Sequence, residues 1–218
     1  MKTVLIVVAH PDDAEIAMGM RIHEYARHGV RVWVHCLTVG TPGSDGTEER
    51  RDECLAAGAI LGVENYTFSR IPDTRFVENR GEMNGDLLKV FHEARPDIVY
   101  THFPEDQHLD HRVTGQEVTT VALRAARDLC YFRSPYSLGF EPTKIFMGTR
   151  ELLNVKMEAL SCFPSQRQLD MSIFRKLAEI AHRQHVHHRI VESFPSGLDC
   201  AELFRTAREI ECAEQAEL

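Results

Sequence analysis

Short apolar runs alternate with amphipathic stretches from Thr3 to Leu129, and this alternation predicts the fold class. Thr3–Val8 is apolar or β-branched at every position, as a strand buried on both faces is. Glu15–His28 has helical periodicity and is stopped by Gly29. Val30–Val39 reads as a second strand. Thr47, followed by Glu48 and Glu49, offers an N-cap and an acidic first turn to a helix that runs to about Leu61 and stops at Gly62. Tyr66–Phe68 reads as a short strand, Asn84–Ala94 as a helix, Asp97–Thr101 as a fourth strand behind Pro96, and Val113–Leu129 as a helix. This order, strand and helix in strict turn, predicts a Rossmann-like, doubly wound α/β fold: a mostly parallel sheet with helices on both faces. In the strand order 3-2-1-4 the first and fourth strands adjoin, and their carboxyl ends flank the switch point where such folds bind ligands. Further along, Ile145–Met147 reads as a strand, and Arg150–Leu160, Asp170–His185 and Cys200–Glu211 as helices.

Composition narrows the class. The 218 residues are expected to form a single domain spanning 1–218, long enough for one sizeable core. Acidic side chains outnumber basic ones 33 to 25, for a net charge of −8, which argues against a binder of phosphate backbones; no nucleic-acid partner is expected. A small anionic substrate held by a few arginines stays open. The apolar run Val4–Ala9 is too short for a signal peptide, and no run approaches the ~18 residues of a membrane span. The six cysteines are scattered without a C-x-x-C pair, as reduced structural thiols are, so a cytoplasmic location is expected.

Two segments carry chemistry, and the predicted topology sets them side by side. His10-Pro11-Asp12-Asp13-Ala14-Glu15 follows the first strand, and His102-Phe103-Pro104-Glu105-Asp106-Gln107-His108-Leu109-Asp110-His111 follows the fourth. Gathering carboxylates in one partly dry crevice is costly without compensation, and a divalent cation is the simplest compensation. Imidazole and carboxylate ligands with one open position make a catalytic zinc pattern. A carboxylate outside the ligand set can then take a proton from water, and a nearby histidine can serve the oxyanion or the leaving amine.

His10-Pro11-Asp12-Asp13 together with His108-x-Asp110-His111 resembles the PIG-L/LmbE-like family of zinc N-deacetylases, which act on N-acetylglucosaminyl conjugates and aminoglycoside-type metabolites. The likeness continues through Arg50-x-x-Glu53, Pro72-Asp73 and Pro96-Asp97, and more weakly through Lys156-x-x-Ala159-Leu160, Ser165-Gln166 and Glu192-x-Phe194. The resemblance implies that His10, Asp13 and His111 bind Zn2+, with Fe2+ as the alternative metal. It implies that Asp12 is the general base and that His108 is the polarising acid, oriented by Asp110. Arg50 and Asp73 match positions near the substrate. It further implies an N-acetylated amino sugar as the small-molecule substrate and a homo-oligomeric enzyme. The chain departs from the pattern at Leu109, where relatives carry Pro, and at Gly19-Met20, where they carry two glycines.

Plainer readings stand beside these. Arg50 and Glu53 also fit an i,i+3 pair on a solvated helix face, and Asp73 fits an ordinary turn. Lys156 and Gln166 read as structural, and the His182–His188 tract as a solvated face. A phosphate-accepting receiver domain leaves the histidines unexplained. A magnesium-dependent phosphohydrolase would favour oxygen ligands over imidazole. A non-catalytic metal-binding α/β module has no use for Asp12 and His108.

Overall fold

The computed structural model describes residues 1–39, 47–166, 170–186 and 194–211. Its elements are β1 (Thr3–Val8), α1 (Asp13–Arg27), β2 (Arg31–Cys36), α2 (Thr47–Leu61), β3 (Asn65–Phe68), α3 (Arg80–Ala94), β4 (Ile98–His102), α4 (Leu109–Ala125), β5 (Asp128–Phe132), β6 (Lys144–Thr149), α5 (Arg150–Leu160), α6 (Ser172–His185) and β7 (Leu198–Arg208). They build a seven-stranded sheet of order β3-β2-β1-β4-β5-β7-β6. The doubly wound α/β expectation holds, with β1 parallel to both β2 and β4. All of β1 is buried, and its alternate residues feed two cores. Val4, Ile6 and Val8 pack with Met18 and Ile22 of α1 and Leu61 of α2. Leu5 and Val7 pack with Leu87 and Phe91 of α3 and Val118 and Val121 of α4.

Three expectations need correction. Cys200–Glu211 is not a helix: it lies within and just beyond β7, which runs antiparallel between β5 and β6. Cys200, Leu203, Phe204 and Ala207 fall at helical spacing, yet Cys200–Phe204 is buried at every position, which is the mark of a strand covered on both faces. The helix expected over Val113–Leu129 ends at Ala125, and the apolar run that follows is the fifth strand. No glycine or proline marks that boundary; Ala126 simply turns extended. The same helix also begins earlier than expected, so Asp110 and His111 lie in its first turn.

That early start depends on Gly115. A Cβ there would meet the His102 carbonyl oxygen at 2.5 Å, so only glycine lets α4 lie directly on the end of β4. Met20, the departure from the paired glycines, packs with Leu152, Leu153, Ala178 and Cys200. It is matched by Gly148, where a Cβ would stand 2.9 Å from its sulfur. Cys36, Cys54, Cys130, Cys162 and Cys200 are free thiols. No described helix is long and apolar enough to cross a membrane.

Candidate active site

The site lies where β1 and β4 end. The chain leaves β1 through Ala9 and His10 and turns at Asp12, whose φ of 79° is left-handed. Aspartate is among the few non-glycine residues that tolerate this conformation. The turn folds Asp13 back, so that its Oδ2 accepts the His10 N–H at 2.7 Å. On the other side, His108 stands just before α4, and the first helical turn carries Asp110 and His111 inward.

Three predicted ligands converge. His10 Nδ1 lies 3.3 Å from His111 Nε2 and 3.5 Å from Asp13 Oδ2, and His111 Nε2 lies 3.3 Å from Asp13 Oδ1. Ligands about 2.0–2.1 Å from a tetrahedral zinc stand about 3.3–3.4 Å from one another; the His10–His111 pair has that separation, and each imidazole has one of the two Asp13 oxygens at a similar distance. The far side of each imidazole faces a carboxylate, the arrangement that fixes tautomer and ring orientation in metal sites. His10 Nε2 is 3.3 Å from both Asp110 Oδ2 and Asp73 Oδ1, and His111 Nδ1 faces Asp106 Oδ1 at 3.5 Å. His108 also lies close enough to His10 and His111 to complete a three-histidine group, its ring stacked 4.4 Å from that of His111.

The electrostatics are those of a tight cluster of opposite charges. Burial lowers the His111 pKa, but Asp13 and Asp106 outweigh it and bring it to about 9. Burial alone would raise Asp13, yet His111, His102 and His10 hold it well below the usual carboxylate range. Asp12 moves the other way. Burial, then the neighbouring Asp13 and Glu15, push its carboxyl well above the usual range, against the pull of Arg50. His108 is lowered by burial and by the charges of His111 and His10.

Some expected contacts differ. Asp110 does not hydrogen-bond His108; its carboxylate is spent on His10 Nε2 and on the Thr74 N–H at 3.1 Å. His108 and Asp110 are two apart in sequence, and such residues do not face each other at the start of a helix. The expected positioning of His108 by Asp110 thus gives way to positioning of His10. Glu53 is no solvated partner of Arg50: it accepts Ser165 N–H at 2.8 Å and Ser165 Oγ–H at 2.6 Å, tying α2 to the chain after α5. Arg50 is half-buried, and its charge reaches both Asp12 and Asp73. His182 and His185 lie in the last turn of α6, while His187 and His188 fall outside the described residues.

Several site residues escaped sequence reasoning. His102 is fully buried, stacks 4.0 Å from His111, and accepts the Ala9 N–H on Nε2 at 3.1 Å. Burial brings its pKa down to about 4, so it packs as a neutral ring. Asp106 accepts Ser134 and Ser137 hydroxyls at 2.5 and 2.6 Å and so carries the loop after β5 to the site. Tyr136 from that loop lies 5.5 Å from the His108 ring. The signal available for His102 was its place at the head of the segment that follows the fourth strand, which the sequence already assigns to the site.

The family model for GlcNAc-PI de-N-acetylase, PIG-L, matches residues 5–122, which contain both motifs. The chain is 30% identical over 165 residues to the uncharacterized deacetylase YaiS of Escherichia coli, covering 73% of this chain and 89% of that protein. It is 28% identical to a probable N-acetyl-alpha-D-glucosaminyl L-malate deacetylase 2 of Bacillus anthracis, covering 75% and 80%. Among solved structures it superposes on GalB, the 4-carboxy-2-hydroxymuconate hydratase of Pseudomonas putida, with a TM-score of 0.82, 21% identity and 97% and 98% coverage; at that identity the likeness speaks for the fold alone. With both motifs inside the matched segment and meeting at one crevice, the chain belongs to the PIG-L family, that of the GlcNAc-PI de-N-acetylases, and is an enzyme of the deacetylase type.

Proposed function

We propose that this chain is a zinc-dependent N-deacetylase that removes acetyl from the amide nitrogen of an N-acetylated amino sugar or its conjugate. The observation that carries the reading is the convergence of His10, Asp13 and His111, with donor atoms 3.3 to 3.5 Å apart, at the crevice where β1 and β4 end. The name of the Bacillus anthracis relative supports the substrate class. Zinc held by these residues supplies a Lewis acid that acidifies water and polarises a carbonyl.

The chain's own groups do the rest. Asp12 is the general base: burial and the neighbouring Asp13 and Glu15 make its carboxylate a stronger base than a solvated one, which suits it to take a proton from the attacking water. His108, half-buried beside His10 and His111, donates first to the developing oxyanion and then to the leaving nitrogen. His102 and Asp106 hold the His111 ring from its face and its far edge. Asp73, with a third of its side chain exposed, and Arg50 stand where polar groups of the substrate arrive.

Arg50→Lys keeps the charge but loses the planar fork that grips a polar or anionic group. It is expected to raise KM severalfold with little change in kcat; unchanged kinetics on the true substrate would remove Arg50 from the substrate site. The reading as a whole is tested by a panel of free and conjugated N-acetylglucosamine compounds, scored for new primary amine. At least one member is expected to turn over. Adding water across a conjugated double bond also takes an activated water and a proton donor, so the panel includes 4-carboxy-2-hydroxymuconate, the compound of the GalB hydratase. Turnover of that compound with no amine from any amide would overturn the hydrolase.

A further inference from the structure

We propose that the buried pair Lys156–Glu202 is a positioning device for the catalytic turn, acting by capping both sides of a break in α1; this rests on the reading of Asp12 as base and Asp13 as ligand. Met18, at φ −148° and ψ 27°, interrupts α1 and leaves Asp13–Ala17 as a single helical turn. A break strands carbonyls on one side and N–H groups on the other, and buried backbone groups need partners. Lys156 Nζ donates to the Ile16 carbonyl at 2.7 Å. Glu202 accepts from Met20 N–H at 3.0 Å and from Arg21 N–H at 2.9 Å. The two side chains meet at 2.8 Å and are 4% and 2% exposed. Each charge has the sign its helix end favours, the ammonium at a C-terminal end and the carboxylate at an N-terminal end.

The lysine reaches the break across Gly19, where a Cβ would lie 2.9 Å from its Cγ. The glycine that remains of the family's usual pair is therefore the notch through which the clamp passes. Upstream, the turn is fixed to β1 by the His10 N–H bond to Asp13; downstream, this pair caps the break. A cavity of about 400 Å³, lined in part by Ile16, Ala17, Lys156 and Glu202, adjoins the break and gives an unclamped turn room to move. Ala17 lies four residues beyond Asp13, on the same face of the turn, and the Ile16 N–H bonds the Asp12 carbonyl at 2.8 Å. Movement at the break thus carries directly to both carboxylates.

Removing one charge alone strands the other in the interior. The test therefore uses the paired replacement Lys156→Met with Glu202→Leu, and independently Gly19→Ala, which crowds the lysine while raising helix propensity. Each protein, stripped of metal, is titrated with Zn2+ against a chromophoric chelator, and its Tm is measured. The expected result is a folded paired variant whose zinc Kd is weaker by about 10–100-fold, the effect usual for groups that orient ligands. Gly19→Ala is expected to stay folded with a somewhat lower Tm, because its Cβ crowds the buried lysine stem, and to weaken zinc binding. A wild-type zinc Kd in the folded paired variant, or in Gly19→Ala if the paired variant does not fold, overturns the inference and leaves the pair as a stitch between α1, α5 and β7. A wild-type protein that takes up no zinc overturns the ligand reading itself.

Discussion

Asp13→Ala and His111→Ala are each expected to lose most of the bound metal and to reduce deacetylation to background. Each substitution removes one donor from a three-residue set whose members stand 3.3 to 3.5 Å apart. Asp13 carries more than its own ligation. Its Oδ2 also takes the His10 N–H and lies 3.2 Å from His102 Nε2, so its loss loosens both walls of the crevice. His111→Ala removes a ring on which His102 and His108 stack, at 4.0 and 4.4 Å. Elemental analysis of the purified variants checks the ligand set. Full metal in either one contradicts it. His108→Ala is the internal control: with His108 outside the set, metal stays while turnover falls, and loss of metal would make His108 a ligand.

The second large effect separates Asp12 from its neighbour. Asp12→Asn is expected to keep fold and metal while turnover falls by about 10²–10⁴-fold, the usual worth of general acid–base catalysis. Asparagine is the conservative choice on two counts. It is nearly isosteric, and it also tolerates the left-handed backbone that Asp12 adopts at φ 79°. What it loses is the capacity to take a proton. Loss of metal in Asp12→Asn with retention in Asp13→Asn would exchange the roles of the two carboxylates. Retention of both metal and near-full turnover would place the base elsewhere.

The sequence made the site's location legible and left its wiring obscure. β1 and β4 are continuous apolar runs, and a βαβ alternation leaves few ways to order them, so the meeting of His10 with His111 followed from topology. The partner of each imidazole did not follow. Asp110 serves His10 across the crevice, not the neighbouring His108, because side-chain direction at a helix start is set by rotation about its axis. Asp106 reaches His111, and the serines that hold Asp106 come from a loop beyond β5, a strand hidden in what read as the end of a helix. β7 was misread because its buried residues also fit a helical period; only its place between two strands decides between the patterns. Glu202 and Lys156 illustrate the same limit. One lies on that misread strand, and neither shows from sequence that it caps a broken helix.

Zinc-dependent amide hydrolysis is tested most directly by reconstitution. Metal-free protein is given increasing Zn2+, and acetate and free amine released from an N-acetylglucosamine conjugate are measured together. Acetate and amine should appear in equal amounts, rising with zinc up to one equivalent per chain, as one three-ligand site requires. Undiminished hydrolysis by the metal-free protein, or full zinc loading with no acetate released from any member of the panel, would contradict the account.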